Sequence, residues 1–277
     1  KSDVTPEKEE TDTVLPLNDS GIINVLLLGI DSDLKIGGNG DPHTDAIIVL
    51  AINFKKNTVD MISLPRDTFT HVPGINGIYK LNAALNCGGG KTEAGFNKVC
   101  EASEWMLGGI SIDYYCAFDL DTVIEIGDMI GGVDFEVDMS YTGESGNKYK
   151  KGMQHLDGTG IYDYMRTRKA ATVNATDKGR MNHCKAMLIA MFSKIKNSGD
   201  LAQVPSLLGT VDEGMYTNMN LQQLLALANF GLNINENNIG SYTMTGDIRS
   251  AADWNFMFID QDYRIELIKQ IYGVTVP

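Results

Sequence analysis

The sequence is poor in cysteine and histidine and has no long apolar run. Four cysteines in 277 residues are too few for a disulfide framework. The four histidines include no pair at the i, i+4 spacing of a helical zinc site, so a histidine metal centre is not expected. No stretch reaches the roughly 20 apolar residues that span a bilayer. The sequence therefore predicts no transmembrane helix within the chain.

Positive charge is also scarce. The chain has 23 Lys and Arg against 36 Asp and Glu, which gives a formal net charge of −13. Binding to a phosphate backbone needs a basic surface, so a nucleic-acid partner is not expected. Any site for an anion must be built locally from a few basic side chains.

The four cysteines divide into two pairs by context. Cys87 and Cys100 flank the glycine-rich stretch CGGGKTEAGFNKVC, and a disulfide that closes this loop is expected if the compartment is oxidising. Cys116 and Cys184 are interpreted as small buried apolar residues, and a contact between them stays open.

The chain is predicted to form one domain behind a polar leader. Residues 1–20 are polar and mostly acidic, so they bury too little apolar surface to offset the entropy of ordering. Such a leader is compatible with a spacer that follows a membrane anchor. Residues 21–277 contain no linker and no internal repeat, and we expect them to form a single domain.

Apolar strands and capped helices alternate along this domain. The runs INVLLLGI, AIIVLAINF and TVDMISL predict strands, the first two buried on both faces. Thr92, Asp121 and Asp157 are predicted helix N-caps. Helices are predicted at residues 80–86, 92–107, 121–129, from 157, 178–196, 221–230 and 262–271. The alternation predicts an α/β fold, a three-layer α-β-α sandwich with a central mixed sheet.

Two aspartates stand at the edges of the first two strands. Asp31 ends one apolar run and Asp45 opens the next. Carboxylates brought together at adjacent strand ends repel each other unless a cation neutralises them, which favours a hard metal ion. The alternative is that both only cap turns. An EF-hand is excluded because Pro42 stands where its twelfth ligand, a glutamate, is required.

Arginines supply the complementary charge. Arg66 follows Pro65 at the end of a strand, and Arg166 and Arg168 would point to the same side of an extended segment. Forked guanidinium groups suit phosphate oxygens. Arg180, at the start of a helix, can add a third guanidinium to those of Arg166 and Arg168. The alternative is that Arg166, Arg168 and Arg180 pair with carboxylates of this acidic protein.

Read in order, five segments resemble the catalytic domain of the LytR-CpsA-Psr family. They are the strand that ends at Asp31, HTDAIIVLAIN, MISLPRDT with KLNAAL, GMQHLDGTGIYDYMRTR and DKGRMNHCKAM, which together span residues 22–197. Five motifs in the same order are far more specific than any one of them. The chain departs from the family pattern in two places: His43 replaces an arginine, and His183 and Cys184 replace an Arg-Gln pair.

The resemblance implies a membrane-anchored enzyme on the outer face of a bacterial membrane. It would transfer a glycopolymer, such as teichoic acid or capsule polysaccharide, as a phosphosugar from a polyprenyl pyrophosphate carrier to a peptidoglycan hydroxyl. Asp31 and Asp45 would hold Mg²⁺, and the pyrophosphate would be bound by Arg66, Arg166, Arg168, Arg180 and His43, with the lipid tail in an apolar pocket. Asp45, Arg66, Arg166 and Arg168 are the expected catalytic residues. Two rival functions stay open: hydrolysis of the carrier, and non-catalytic binding of polyprenyl phosphates.

Overall fold

The computed structural model describes Leu15 and residues 20–31, 42–167, 177–198, 214–251 and 254–277. Its strands are β1 (Ile22–Asp31), β2 (His43–Asn53), β3 (Thr58–Ser63), β4 (Phe69–Thr70), β5 (Tyr79–Lys80), β6 (Tyr114–Asp119), β7 (Val133–Val137), β8 (Tyr141–Thr142), β9 (Lys148–Tyr149), β10 (Gly152–Leu156), β11 (Met215–Thr217), β12 (Ile239–Thr243), β13 (Gly246–Ala251) and β14 (Trp254–Ile259). Its α-helices within the described residues are α1 (Ala84–Cys87), α2 (Glu93–Met106), α3 (Leu120–Met129), α4 (Gly158–Arg166), α5 (Asp177–Ser198), α6 (Leu221–Asn233) and α7 (Gln261–Tyr272).

A six-stranded sheet forms the centre, in the order β11-β6-β1-β2-β3-β12. The pairs β1 with β6 and β3 with β12 are parallel, and the other three pairs are antiparallel. The sheet is therefore mixed, as the sequence predicts. The strands β13 and β14 form a separate antiparallel hairpin, which an isolated bridge from Thr68 to Met257 ties to the chain after β3.

Helices cover both faces of the sheet, which confirms the three-layer sandwich. Alternate residues of β1 point to opposite faces, because the side-chain period of a strand is two. Leu26 and Leu28 pack in the core cluster that includes residues of α2 and α7. Ile23 and Val25 pack in a cluster that includes residues of α6 on the other face. A third cluster joins α3, α4 and α5 to β7 and β10.

Two of the three predicted helix caps are confirmed, and the third is wrong. Thr92 accepts a hydrogen bond from the Gly95 amide, and Asp157 accepts one from the Gly160 amide. The helix α3 begins at Leu120, one residue before the predicted cap at Asp121. Its cap position is Asp119, whose carboxylate binds the Lys91 ammonium at 2.8 Å instead of a helix amide. Asp121 lies in the first turn, where a carboxylate favours the helix dipole.

The disulfide considered between Cys87 and Cys100 is not formed in the structure, where all four cysteines carry free thiols. Both side chains pack against the core cluster on the α2 face. Backbone hydrogen bonds close the glycine-rich loop instead, because the Gly90 amide donates to the Leu85 carbonyl at 3.0 Å. Cys116 and Cys184 are buried, as predicted, but belong to different clusters and do not form the contact considered between them. In the described part of the chain, no helix has the length and apolarity to cross a bilayer.

Candidate functional site

A β-bulge sets the position of Asp45. Along the antiparallel pair of β1 and β2, Gly29 lies opposite Ala46 but Ile30 lies opposite Thr44, so Asp45 is an extra residue in β2. A bulge of this kind leaves one residue out of the ladder and turns its side chain. Asp31, the last residue of β1, lies opposite His43. The two predicted carboxylates therefore lie at the same end of one strand pair.

Two arginines contact Asp45. The residue is 8% exposed, and a buried carboxylate is costly unless a charge and hydrogen bonds compensate it. The Arg66 guanidinium forms an ion pair with its Oδ1. Arg180, which is 5% exposed, donates from Nη2 to the backbone oxygen of Asp45 at 2.8 Å. Asp45 is thus the residue at which three features meet: the bulge of β2, the strand end that carries Arg66 and the helix α5.

Arg166 holds the second carboxylate. Its Nη2 lies 2.9 Å from Asp31 Oδ2, and its Nε lies 2.8 Å from Glu144 Oε2. Burial acts to lower the pKa of the guanidinium, but the Tyr162 phenol and the two carboxylates outweigh it, so the pKa lies above its ordinary value. Tyr162 also places its ring 5.5 Å below the guanidinium carbon. Arg166 is therefore a fixed, permanently charged group.

Asp163 anchors the loop that carries Glu144. Asp163 is fully buried on α4, one turn before Arg166. It accepts hydrogen bonds from the Ser145 amide at 3.0 Å, from the Ser145 hydroxyl and from the Tyr149 hydroxyl at 2.9 Å. Burial, followed by the contact with Asp163, raises the pKa of Tyr149 to about 12, so the phenol stays a donor. These bonds hold Glu144 within reach of Arg166.

An apolar cavity of about 260 Å³ opens beside these charges. It lies between the sheet and the helices α3 and α5. Its lining residues are Leu27, Leu28, Gly29, Asp45, Ala46, Ile48, Phe118, Leu120, Val123, Ile126, Met165, Arg166, Arg180, Cys184, Leu188, Met191, Phe192 and Ile195. Asp45, Arg166 and Arg180 are the only charged members of this set, so the cavity joins an apolar interior to a polar edge.

A magnesium ion fits the oxygen donors at this edge. Mg²⁺ is commonly held by one or two carboxylates together with waters and substrate phosphates, and Asp31 and Asp45 supply such a pair. Within the described ranges, no group of three or more His, Cys, Asp or Glu side chains could hold a metal ion. An ion here would therefore depend on oxygens of the substrate.

The structure brings together most of the predicted site residues. Asp31, Asp45, Arg66, Arg166 and Arg180 converge at the end of the β1–β2 pair. The alternative pairing with the protein's own carboxylates is present for Arg166, which holds Asp31 and Glu144, whereas Arg180 donates to a backbone oxygen. His43 is exposed opposite Asp31, and its role stays a prediction. Arg168 lies outside the described residues.

The structure corrects one expectation for the arginine segments and locates the two residues that replace the Arg-Gln pair. Arg166 does not lie in an extended segment: it is the last residue of α4, and the residue after it, Thr167, has extended backbone. His183 does not face the phosphate site, because its ring lies 3.3 Å from Asp138 and packs on Tyr164. Cys184, next to it on α5, lines the cavity instead.

Sequence reasoning missed Glu144 and Asp163. Glu144 lies in residues 140–151, which look like an ordinary loop, and its contact with Arg166 crosses 22 positions of the chain. Asp163 carries one signal: it is a charged residue on a helix face that otherwise buries Ile161, Tyr164 and Met165. A buried carboxylate of this kind needs several donors, and the polar loop before α4 is the nearest source.

Comparisons with known proteins identify relatives of this chain. The sequence model of the LytR_cpsA_psr family matches residues 1–271. The polyisoprenyl-teichoic acid–peptidoglycan teichoic acid transferase TagV of Bacillus subtilis (strain 168) is 27% identical over 247 residues, which cover 86% of this chain and 60% of TagV. The enzyme of the same description named TagU, from Bacillus mycoides (strain KBAB4), is 26% identical over 231 residues, which cover 83% of this chain and 71% of TagU.

Solved structures share the fold. The crystal structure of B. subtilis TagV superposes with a TM-score of 0.75 at 23% identity, covering 93% of this chain and all of that chain. The structure of TagT bound to LIIa-WTA superposes with a TM-score of 0.75 at 25% identity, covering 93% of this chain and 94% of that chain. The family match covers nearly the whole sequence, and the chain therefore belongs to the LytR-CpsA-Psr family.

Proposed function

We propose that this domain transfers a glycopolymer, as its phosphosugar, from a polyprenyl pyrophosphate carrier to a peptidoglycan hydroxyl in a magnesium-dependent reaction. One observation carries the proposal: an apolar cavity ends at Asp45, Arg166 and Arg180. A prenyl diphosphate matches this arrangement, because its long apolar chain suits the cavity and its compact anionic head suits the charged edge. The names of the relatives TagV and TagU, polyisoprenyl-teichoic acid–peptidoglycan teichoic acid transferases, pair a polyisoprenyl-linked donor with a peptidoglycan acceptor and support this substrate pair.

Substrate binding would exchange the ion pairs of the free site. Asp31 and Asp45, which now hold Arg166 and Arg66, would hold the magnesium ion. The guanidiniums so released would bind the phosphate oxygens, for which their forked donors are suited. Each charge in the site then keeps a partner of opposite sign, so the exchange leaves no unpaired buried ion.

The reaction is a displacement at the phosphorus that bears the sugar. The acceptor hydroxyl oxygen forms a bond to this phosphorus, the bond to the bridging oxygen of the diphosphate breaks, and polyprenyl phosphate leaves with the electron pair. Arg66, Arg166 and Arg180 stabilise the negative charge that develops on the leaving group. A bound magnesium ion would add positive charge at the same oxygens. The hydroxyl proton passes to a base, and Asp67, next to Arg66 and with a side chain 38% exposed, is available on the solvent side.

We also propose that the domain works on the outer face of a bacterial membrane, where a polyprenyl carrier and peptidoglycan meet. A membrane anchor ahead of the polar leader of residues 1–20 would keep the mouth of the cavity near the lipid. Arg168 and His43 complete the proposed set of phosphate-binding residues, as the family resemblance implies.

The test is a transfer assay with a lipid-linked glycan labelled in its glycan, peptidoglycan and Mg²⁺. We expect magnesium-dependent release of polyprenyl phosphate and label bound covalently to peptidoglycan. Arg166→Ala, Asp45→Ala and the isosteric Asp45→Asn should each lower the rate by about 100-fold or more, because the first removes a positive charge that would face the reacting phosphate and the other two remove a carboxylate that would hold the magnesium ion. Circular dichroism should show that the variants keep the fold.

Matched controls are Arg249→Ala and Asp134→Asn, whose side chains are 66% and 73% exposed and lie outside the site. Both should keep the wild-type rate. Release of polyprenyl phosphate without label in peptidoglycan would indicate a hydrolase. Binding of the lipid-linked carrier without release of polyprenyl phosphate would indicate a binding module. Full activity of both Arg166→Ala and Asp45→Ala would refute the proposed chemistry.

A further inference from the structure

A second, open cleft of about 520 Å³ lies on the solvent side of Arg66. Its floor contains Met181, Met244 and Met257, and Asp67, Lys80, Asn255 and Ile248 also line it. Pro65 and Asp67, the two neighbours of Arg66 in the chain, both belong to this lining. None of these residues lines the apolar cavity beside Asp45.

The cleft and the cavity share one wall. Arg66 extends from the cleft side and binds Asp45, which lines the cavity. On α5 the consecutive residues Arg180 and Met181 divide in the same way, the first lining the cavity and the second lining the cleft. The groups that would bind phosphate therefore stand between two separate spaces.

The hairpin of β13 and β14 builds the outer wall of the cleft. The Met257 amide donates to the Asp67 carbonyl at 3.0 Å, which fixes the hairpin against the strand end that carries Arg66. Ile248 and Asn255 lie on the same face of the hairpin as Met257, because Ile248 pairs with Met257 and Asn255 is two residues away on β14. Ile248 is 75% exposed among the described residues, so its apolar side chain is open to a ligand in the cleft.

The polar groups of the cleft suit a neutral ligand. Lys80 Nζ lies 2.8 Å from Asp67 Oδ1, so the ammonium and the carboxylate neutralise each other and leave spare donors and acceptors. The Asn255 side chain adds an amide. A sugar ring needs this combination, because its hydroxyls require donors and acceptors while its C–H face requires an apolar surface such as Ile248 and Met257. A prenyl chain, by contrast, would leave the polar groups unsatisfied.

We propose that this cleft binds the sugar acceptor, a segment of a peptidoglycan glycan strand, and delivers its hydroxyl to the phosphorus held beside Arg66. The inference rests on the proposed function. In a displacement at phosphorus the attacking and leaving oxygens lie roughly in line, so the acceptor enters opposite the polyprenyl phosphate. With the prenyl chain in the cavity, the opposite side of the shared wall is the cleft.

Steady-state kinetics of Ile248→Ser and Asn255→Ala test the assignment. A soluble peptidoglycan tetrasaccharide serves as the acceptor, and donor and acceptor are varied in turn. We expect the KM for the tetrasaccharide to rise about tenfold in each variant, the change that corresponds to the loss of one favourable contact, while the KM for the donor stays within about twofold. The control Met153→Ser, whose side chain is 67% exposed on β10, should leave both constants unchanged.

The possible outcomes separate the two proposals. A rise in the donor KM alone would assign the cleft to the glycan of the donor, and unchanged constants in both variants would show that neither sugar uses it. Either result overturns the inference and leaves the transfer reaction intact. If the wild type shows no transfer, the proposed function fails. The cleft is then tested by saturation-transfer NMR with the tetrasaccharide, where signals in the wild type that are lost in Ile248→Ser support it and an absent signal overturns it.

Discussion

At the scale of single residues, the site depends on how each guanidinium is held. Arg166 uses two different nitrogens for two carboxylates, Nη2 for Asp31 and Nε for Glu144. A forked, planar cation can make both contacts at once, whereas a lysine ammonium is a single point of charge. The geometry of Arg166 is therefore as important as its charge.

Arg166→Lys separates these two properties. The variant keeps the charge and loses one of the two directed contacts, so we expect kcat/KM for the lipid-linked donor to fall about 10- to 100-fold, which corresponds to about 1.4 to 2.8 kcal/mol of transition-state stabilisation. Initial rates over a range of donor concentrations measure the change. Arg249→Lys is the control and should match the wild type. A value of kcat/KM within about twofold of wild type for Arg166→Lys would show that charge alone suffices.

The main charged residues at the site were predictable, but their partners were not. Asp31, Asp45 and Arg66 lie next to apolar runs that predict strands, so each residue is expected at a strand end. Neighbouring antiparallel strands bring such ends together. Glu144 gives no such signal, because its importance comes from a contact with Arg166 that only the folded chain creates.

At the scale of elements, the loop before α4 and the helix itself act as one unit. Asp163 binds Ser145 and Tyr149, and Gly143 approaches Asp163 so closely that an added Cβ would lie 2.1 Å from its carboxyl carbon. The loop is thus packed directly on the helix that ends at Arg166. This packing explains why a segment with little regular structure can place Glu144 accurately.

Asp163→Asn tests this coupling. The amide keeps one oxygen acceptor but turns a donor toward the Ser145 and Tyr149 groups, so we expect the free energy of unfolding to fall by about 1–3 kcal/mol. Urea denaturation followed by circular dichroism gives the value. Asp134→Asn, at a surface pair with His155, should change it by less than about 0.5 kcal/mol. Equal midpoints for Asp163→Asn and wild type would mean that the loop is not anchored through this carboxylate.

Element boundaries show the limit of pattern reading. The spacing of Arg166 and Arg168 looks like an extended pair, yet α4 continues through Arg166 and ends at Thr167. The helix continues because Asp163, Tyr164 and Met165 are all buried by neighbouring elements, and such packing overrides a local preference. The cap at Asp157, in contrast, depends on adjacent residues only and was predicted correctly.

At the scale of the whole molecule, the cavity is a property of the assembled sandwich. Its walls come from β1, β2, β6, α3, α4 and α5, which are spread over most of the chain, and each of their apolar side chains would look like ordinary core in the sequence. The existence of the sheet layer and of the helix layer beside it follows from the alternation of strands and helices. The cavity between the sheet and these helices cannot be predicted in this way, because it depends on how completely side chains from distant elements fill the space between the layers.

A crystal structure with Mg²⁺ and a short prenyl pyrophosphate, such as farnesyl pyrophosphate, tests the central claim most directly. The account predicts the prenyl chain between the sheet residues Leu27 and Ile48 and the helix residue Leu188, with the diphosphate on Arg66, Arg166 and Arg180 and the metal ion on Asp31 and Asp45. A structure in which the two ion pairs of Asp31 and Asp45 persist and the prenyl chain lies outside the cavity would contradict it.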